Sequence, residues 1–352
     1  MKTLLVSRFS TNCGVAEYSR FLYDALLRNK YDVDYAYISL SENNPNSKNY
    51  ILHNWKQVNL KEYNIVHIQF HPGITEYHNN ELKNFLISAK NAGCKIVLTI
   101  HGIWGLETFV QDFLPLVDIY IYHQYLQDSI LQFPESKIRI VYQGCFSEFP
   151  EYDINKEKEL MGYSKEDFII GTFGSIVKHK GMDKIVDAMK ELDLLGIKTK
   201  FIISGKSVDN SFDYLLKKAD LLGIDRNRIQ QVYDIDIQKA RKLLLCCDCL
   251  AFTMNCIASD VSASIRCVLD FNKPIIVSDS PYYAELRDVC LRCSTIINDS
   301  FIIGLEHLIW LIHDKRHNII DQHLMCLNHH VKNKISWDCI SKRNWAIYES
   351  IL

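Results

Sequence analysis

The stretch GTFGSIVKHKGMDKIV, residues 171–186, reads as an apolar strand that turns at a glycine and runs into a helix. Lys178, His179 and Lys180 fall where that helix begins. The start of a helix is the positive end of its aligned peptide dipoles, so basic residues there are unfavourable unless something negative sits beside them. The pattern predicts an anion site at the C-terminal end of a strand, which is the edge at which open α/β sheets bind ligands. Gly174 and Ser175 make the turn, and Lys178 and Lys180 reach into the crevice.

Two further junctions have the same character. In FSTNCGVAEYSR, residues 9–20, Ser10, Thr11 and Asn12 are capping types, and Gly14 allows close approach to Val15 and Ala16. In SDVSASIRCVLDF, residues 259–271, Asp260 or Ser262 caps a helix starting near Ser262, Ala263 and Ser264, whose small side chains leave the amides reachable. Taken singly, each is also compatible with an ordinary capped turn. Two such junctions in one half of the chain, at the end of one sheet, would cradle a pyrophosphate better than a single phosphate.

Around these junctions the chain alternates strand and helix patterns. TLLVSRF, VDYAYIS, NIVHIQF, KIVLTI, VDIYIYH and IRIVYQG are strand-like, with helical periodicity over 15–27 and 81–92. Such alternation argues a parallel sheet wrapped by helices. The segment FSEFPEYDINKEKELMGYSKED, residues 146–167, is charged and turn-prone and reads as a linker. The cycle then restarts with FIIGTFG, a helix carrying Met182, Ile185, Val186, Met189 and Leu192 on one face, KFIISG, a helix over 212–222, RIQQVY, CDCLAFT and KPIIVSD. An aromatic-rich helix ends the chain, with Trp337, Ile340, Trp345 and Tyr348 free to dock on either half. The 352 residues therefore divide into 1–148, 149–333 and a terminal helix 334–352.

In this order CGVAEYSRFLYDAL, IVHIQFHPG, VLTIHG, IGTFGSIVKHKGMDKIVDAM, SASIRCVLDFNKPIIVSD and ISWDCISKRNWAIYESIL resemble the landmarks of GT-B glycosyltransferases of family 4, the group 1 transferases, in the subgroup with a CGxAEY start. The resemblance spans nearly the whole chain. It implies an α/β fold of two Rossmann-like domains with parallel sheets facing across a cleft, the C-terminal one holding a nucleotide-diphosphate sugar and the N-terminal one the acceptor. It implies transfer with retention of anomeric configuration and without a bound metal. The acceptor would be a glycan or a lipid-linked sugar, and the last helix would cross back to the first domain.

Carried over by position, Lys180 matches the basic residue that neutralises the donor diphosphate, and His101 matches a histidine placed near the donor sugar. Gly174, Ser175, Lys178, Gly205, Tyr233, Asp234, Ser262, Ala263 and Ser264 fall on the donor side, with Tyr233 and Asp234 where base and ribose are met. Gly14, Glu17 and His71 are the acceptor-side candidates. Two departures stand out. Ser175 falls where many members have arginine, a charge that Lys178 or His179 would have to replace, and the paired glutamates common in the family correspond to Ser259 and Cys267. A non-catalytic nucleotide-sugar binder, or an epimerase of the same fold, is the alternative these departures raise.

Composition restricts the rest. A net charge of -2 without a long Lys/Arg run excludes generic nucleic-acid binding. Twelve scattered cysteines without a signal segment read as reduced thiols in a cytosolic protein. Cys246 with Cys249 and Cys290 with Cys293 form two C-x-x-C pairs, raising a four-thiolate zinc site as a rival. No run approaches the ~18 apolar residues of a membrane span, so membrane contact would be peripheral, for instance through the helix carrying Lys83, Lys90 and Lys95.

Overall fold

A computed structural model describes residues 1–8, 14–38, 52–54, 57–71, 80–102, 115–124, 133–234, 236–254, 261–293, 298–314 and 317–352. The chain forms two compact units, one of Met1–Gly144 with Ile335–Leu352 and one of Cys145–Ala258 with Ser262–Lys334.

In the first unit the strands are β1 (Thr3–Arg8), β2 (Val33–Ile38), β3 (Leu52–Asn54), β4 (Ile65–Phe70), β5 (Lys95–Ile100), β6 (Ile119–Tyr122) and β7 (Ile138–Ile140). They form one parallel sheet in the order β3-β2-β1-β4-β5-β6-β7. Helices α1 (Gly14–Arg28) and α2 (Asn80–Asn91) belong to the same unit. Parallel strands are covered on both faces, which is why IVHIQF is buried at every position although two of its residues are polar. Helix α2 turns Leu82, Phe85, Leu86 and Ala89 into the core, and Lys90 is paired with Asp118 at 2.6 Å. Its apolar face is therefore occupied by the sheet.

The second unit begins with α3 (Ile154–Leu160), inside the segment expected to be a linker. The Asp153 carboxylate accepts from the Asn155 amide at 2.9 Å, and the buried Lys158 donates to Asp248 at 2.9 Å; these contacts turn a charged stretch into a helix docked on the unit. There follow β8 (Phe168–Phe173), α4 (Asp183–Leu194), β9 (Thr199–Ser204), α5 (Ser211–Leu222), β10 (Ile229–Val232), α6 (Ile237–Lys242), β11 (Cys249–Phe252), α7 (Ala263–Arg266), β12 (Ile275–Ser278), β13 (Leu291–Cys293), α8 (Asn298–His313) and α9 (His317–His330). The parallel sheet runs β10-β9-β8-β11-β12-β13. In both units the third, second, first and fourth strands are neighbours in that order, the doubly wound arrangement whose switch point lies between the first and fourth strands.

The final helix α10 (Trp337–Glu349) packs on α1 in the first unit. Trp345 stacks on Tyr31 with centroids 4.2 Å apart, and Asn29 donates to Asp338 at 2.6 Å and Ser341 at 2.9 Å. Gly144 must be glycine here, because a Cβ would enter the Trp337 ring.

Candidate functional site

The switch point of the second unit lies between β8 and β11, and the chain leaving both strands converges there. After β8, Gly174 adopts φ 112°, a left-handed value that a side chain rarely allows. A Cβ on Gly174 would strike the Ser264 hydroxyl and lie 2.7 Å from Lys180 Nζ; one on Gly205 would strike the Gly174 carbonyl. The two glycines thus let three chain segments meet.

Lys178–Lys180 form one turn of 3-10 helix, Gly181 follows at φ 64°, and α4 starts only at Asp183. The basic residues therefore precede the helix they were expected to open, and its first turn carries an acid instead. From β11, Thr253 pins this turn by donating its hydroxyl to the carbonyls of Gly181 at 2.8 Å and Lys180 at 3.2 Å. The result is that Lys180 Nζ donates to Ser264 Oγ at 3.1 Å and lies 3.4 Å from Ser175 Oγ. Among the described residues no carboxylate comes within ion-pair reach of it. Burial without a counter-charge pushes the Lys180 ammonium down to about 8.

On the other flank Ser262 caps α7, accepting from the Ile265 amide at 3.4 Å. The buried Tyr283 hydroxyl bonds Ser262, and the buried pair Arg266–Glu285 ties α7 to the segment after β12. Ala263 is exposed beside the cap. Helix α7 has four residues, so small exposed groups rather than a long helix dipole define this side. Thr172, Phe173, Met182, Phe252, Met254 and Tyr283 complete the wall around Lys180.

Other expected donor residues lie farther out. Lys178 and His179 are exposed and line a separate depression of about 450 Å³ with Asp209, Ser211 and Tyr214; neither is hydrogen-bonded to the Lys180 cluster. Tyr233 is 53% exposed just beyond β10, and Asp234 accepts from the Asp236 amide at 2.8 Å. Ser259 and Asp260 lie outside the described residues. Cys267 directs its thiol at the Ala263 carbonyl, 3.5 Å away.

In the first unit Gly14 opens α1 with free space where a Cβ would stand. Glu17 pairs with Arg20 at 3.2 Å. His71 follows β4, and a Cβ on Gly102 would lie 2.8 Å from its Nε2, so the glycine of VLTIHG makes room for that ring. His101 follows β5 and engages both ring nitrogens inside the unit: Nε2 lies 2.8 Å from Gln69 Oε1 and Nδ1 lies 3.2 Å from His123 Nε2. Burial lowers the affinity of His71 and, more strongly, of His101 for a proton.

The C-x-x-C pairs do not meet. Cys246, Cys249, Cys290 and Cys293 are free, buried thiols, and among the described residues no group of three or more His, Cys, Asp or Glu is placed to hold a metal. Thr253, Gly181, Tyr283 and the Arg266–Glu285 pair escaped the sequence reading. Gly181 had a signal, a glycine directly after three basic residues; the others are brought in from other strand ends.

Two doubly wound parallel sheets carried by one chain make this a GT-B fold. Solved structures of that fold superpose on almost its whole length. HepE from Anabaena, solved in complex with UDP, matches with TM-score 0.76 and 15% identity over 99% of this chain and 100% of that one. A glycosyltransferase from Rickettsia africae matches with TM-score 0.76 and 15% identity over 99% of this chain and 98% of that one. Sucrose-phosphate synthase from Thermosynechococcus elongatus matches with TM-score 0.74 and 11% identity over 100% and 99% of the two chains. No protein-family model matches the sequence, and no curated protein matches it.

Proposed function

We propose that this protein is a glycosyltransferase that moves a sugar from a nucleoside-diphosphate donor to the hydroxyl of a glycan or lipid-linked acceptor, with retention of configuration. The observation that supports it is the Lys180 ammonium, largely withdrawn from water at a sheet switch point, held by two serine hydroxyls and lacking a carboxylate partner among the described residues. A buried cation left in that state is costly and is relieved by an anion. The fold similarity to HepE, solved also with UDP-glucose, makes a diphosphate-linked sugar the fitting anion.

In this reading Lys180, the serine hydroxyls and the amides around Ser262–Ser264 hold the diphosphate, with Gly174 and Gly205 allowing it close. The bond from the anomeric carbon to the phosphate oxygen breaks with both electrons going to the phosphate, and Lys180 stabilises that charge as it grows. The acceptor oxygen bonds the anomeric carbon from the same face and passes its proton to the departing phosphate. Lys180 supplies the positive charge that a metal would otherwise bring. By the family resemblance His101 is assigned to the donor sugar, and Gly14, Glu17 and His71 to the acceptor.

The test is a panel of UDP-, GDP-, ADP- and dTDP-sugars, followed by melting temperature and by release of nucleoside diphosphate. A ligand that binds only the folded state raises stability by mass action. One donor class should raise the melting temperature and be turned over, and Lys180→Ala should lose both responses. A panel without any response overturns the proposal.

A further inference from the structure

A chain of polar groups runs through the core of the first unit from its last helix to the end of its sheet. Tyr348 Oη lies 2.5 Å from His67 Nδ1; His67 Nε2 lies 2.7 Å from Thr99 Oγ1 and 3.0 Å from Gln69 Nε2. Gln69 then reaches His101, His101 reaches His123, and His123 Nδ1 lies 3.0 Å from the Val141 carbonyl. His67, Gln69 and Thr99 are fully buried, and His123 is 6% exposed. The elements packed on it present Tyr18 from α1, with centroids 4.7 Å from His101 and 5.0 Å from His123, and His71 from the end of β4.

The far end of the chain fixes its polarity. A carbonyl accepts only, so His123 Nδ1 carries a proton. If His123 is neutral, its Nε2 is bare and must accept from His101 Nδ1–H. A neutral His101 is then bare at Nε2 and needs a donor from Gln69, which the amide supplies when turned by 180° about its last bond. The amide oxygen then accepts from His67 Nε2–H, and Tyr348 O–H donates to His67 Nδ1. Every bond in this arrangement runs one way, from Tyr348 to Val141. With the amide oxygen toward His101, the chain closes only if His123 or His101 carries a second proton, and every bond from Tyr348 to His101 reverses. Burial holds His67 down to about 3 and His101 well below the ordinary imidazole range, which favours the neutral chain.

We infer that His123 is a positioning residue that sets the tautomer of His101: neutral, it keeps the His101 proton on Nδ1 and clamps the ring against Gln69. The effect on turnover rests on the transferase reading above; the tautomer does not. His101 is then held in one fixed orientation, with its single ring proton committed to His123.

The experiment is a nitrogen-resolved spectrum of histidine-labelled full-length protein near neutral pH, with the His101 ring assigned by comparison with His101→Gln. Wild type should show His101 protonated on Nδ1 and bare on Nε2. His123→Gln offers an amide oxygen at the old Nε2 position and should keep that tautomer; His123→Phe removes the acceptor and should move the proton to Nε2. In transfer assays His123→Phe should lower kcat by roughly tenfold to a hundredfold with the donor KM held, and His123→Gln should recover most of it. A wild-type His101 protonated on Nε2, or a tautomer unmoved by His123→Phe, overturns the inference, and the wild-type spectrum decides alone if that variant fails to fold. Absence of transfer by wild type would count against the function and leave the tautomer result standing.

Discussion

At the scale of single residues, Lys180 trades stability for a site. Its proton affinity in the folded chain is depressed from the ordinary 10.5 to about 8, so below pH 8 the folded state bears a charge it disfavours, and this cost fades as pH rises from about 8 to 10.5. The isosteric Lys180→Met should therefore raise the ligand-free melting temperature at neutral pH by a few degrees, corresponding to roughly 1–3 kcal/mol, while donor binding is lost. A lowered melting temperature would mean the ammonium is a structural tie. Gly174→Ala faces both a left-handed backbone and the Ser264 hydroxyl; it should cost about 1–3 kcal/mol in denaturant unfolding and weaken donor binding, and a neutral result would deny the close meeting of β8 and α7. Lys180, Gly174 and Ser264 were legible because each sits at a strand-to-helix junction with a chemical signature. Thr253 and Glu285 were not, since their partners lie far along the chain and only sheet order brings them near. His101 was legible as a residue, but its neighbour His123 became visible only through the pairing of β5 with β6.

At the scale of elements, two contacts hold the frame. The Arg266–Glu285 pair is buried between α7 and the segment after β12. Removing one partner strands a charge, so Glu285→Leu should cost about 3–5 kcal/mol, whereas the double change Arg266→Met with Glu285→Leu should recover most of it; equal losses in the single and double variants would show that the pair is not coupled. Helix α10 covers α1 with Trp337, which is 7% exposed and packs edge-on against Tyr18 at 5.1 Å. Trp337→Ala should cost about 3–5 kcal/mol, read by chemical denaturation of the first unit; a change within error would mean α10 is an accessory. The long Val/Ile-rich strands were plain in the sequence because burial on both faces demands such runs. Strands β3 and β13 are three residues each, too short for a period to register, and α3 was hidden by its charges, which caps and ion pairs satisfy. The placement of α10 on the first unit could not come from its aromatic stripe alone, since the pattern says that a face is buried and not against what.

At the scale of the whole molecule, one strand order is repeated in two units, and the switch point of the second carries a buried ammonium, that of Lys180. No helix among the described residues is long and apolar enough to cross a membrane; α2 lays its apolar face on the core, Lys90 is paired with Asp118, and Lys95 opens β5 rather than extending the helix. The central claim is that the Lys180 ammonium grips a diphosphate, and proton linkage reports on that grip directly. An anion bound to this group raises its proton affinity again, so a nucleoside diphosphate should draw a proton onto the protein when it binds somewhat above pH 8. Titration calorimetry of UDP, GDP and ADP near pH 8.5, repeated in buffers of different ionisation enthalpy, measures that uptake. A fraction of a proton taken up by wild type with at least one of them, and none by Lys180→Arg, whose charge persists at that pH, is the predicted result. Binding without proton uptake, or the same uptake in both proteins, would contradict it.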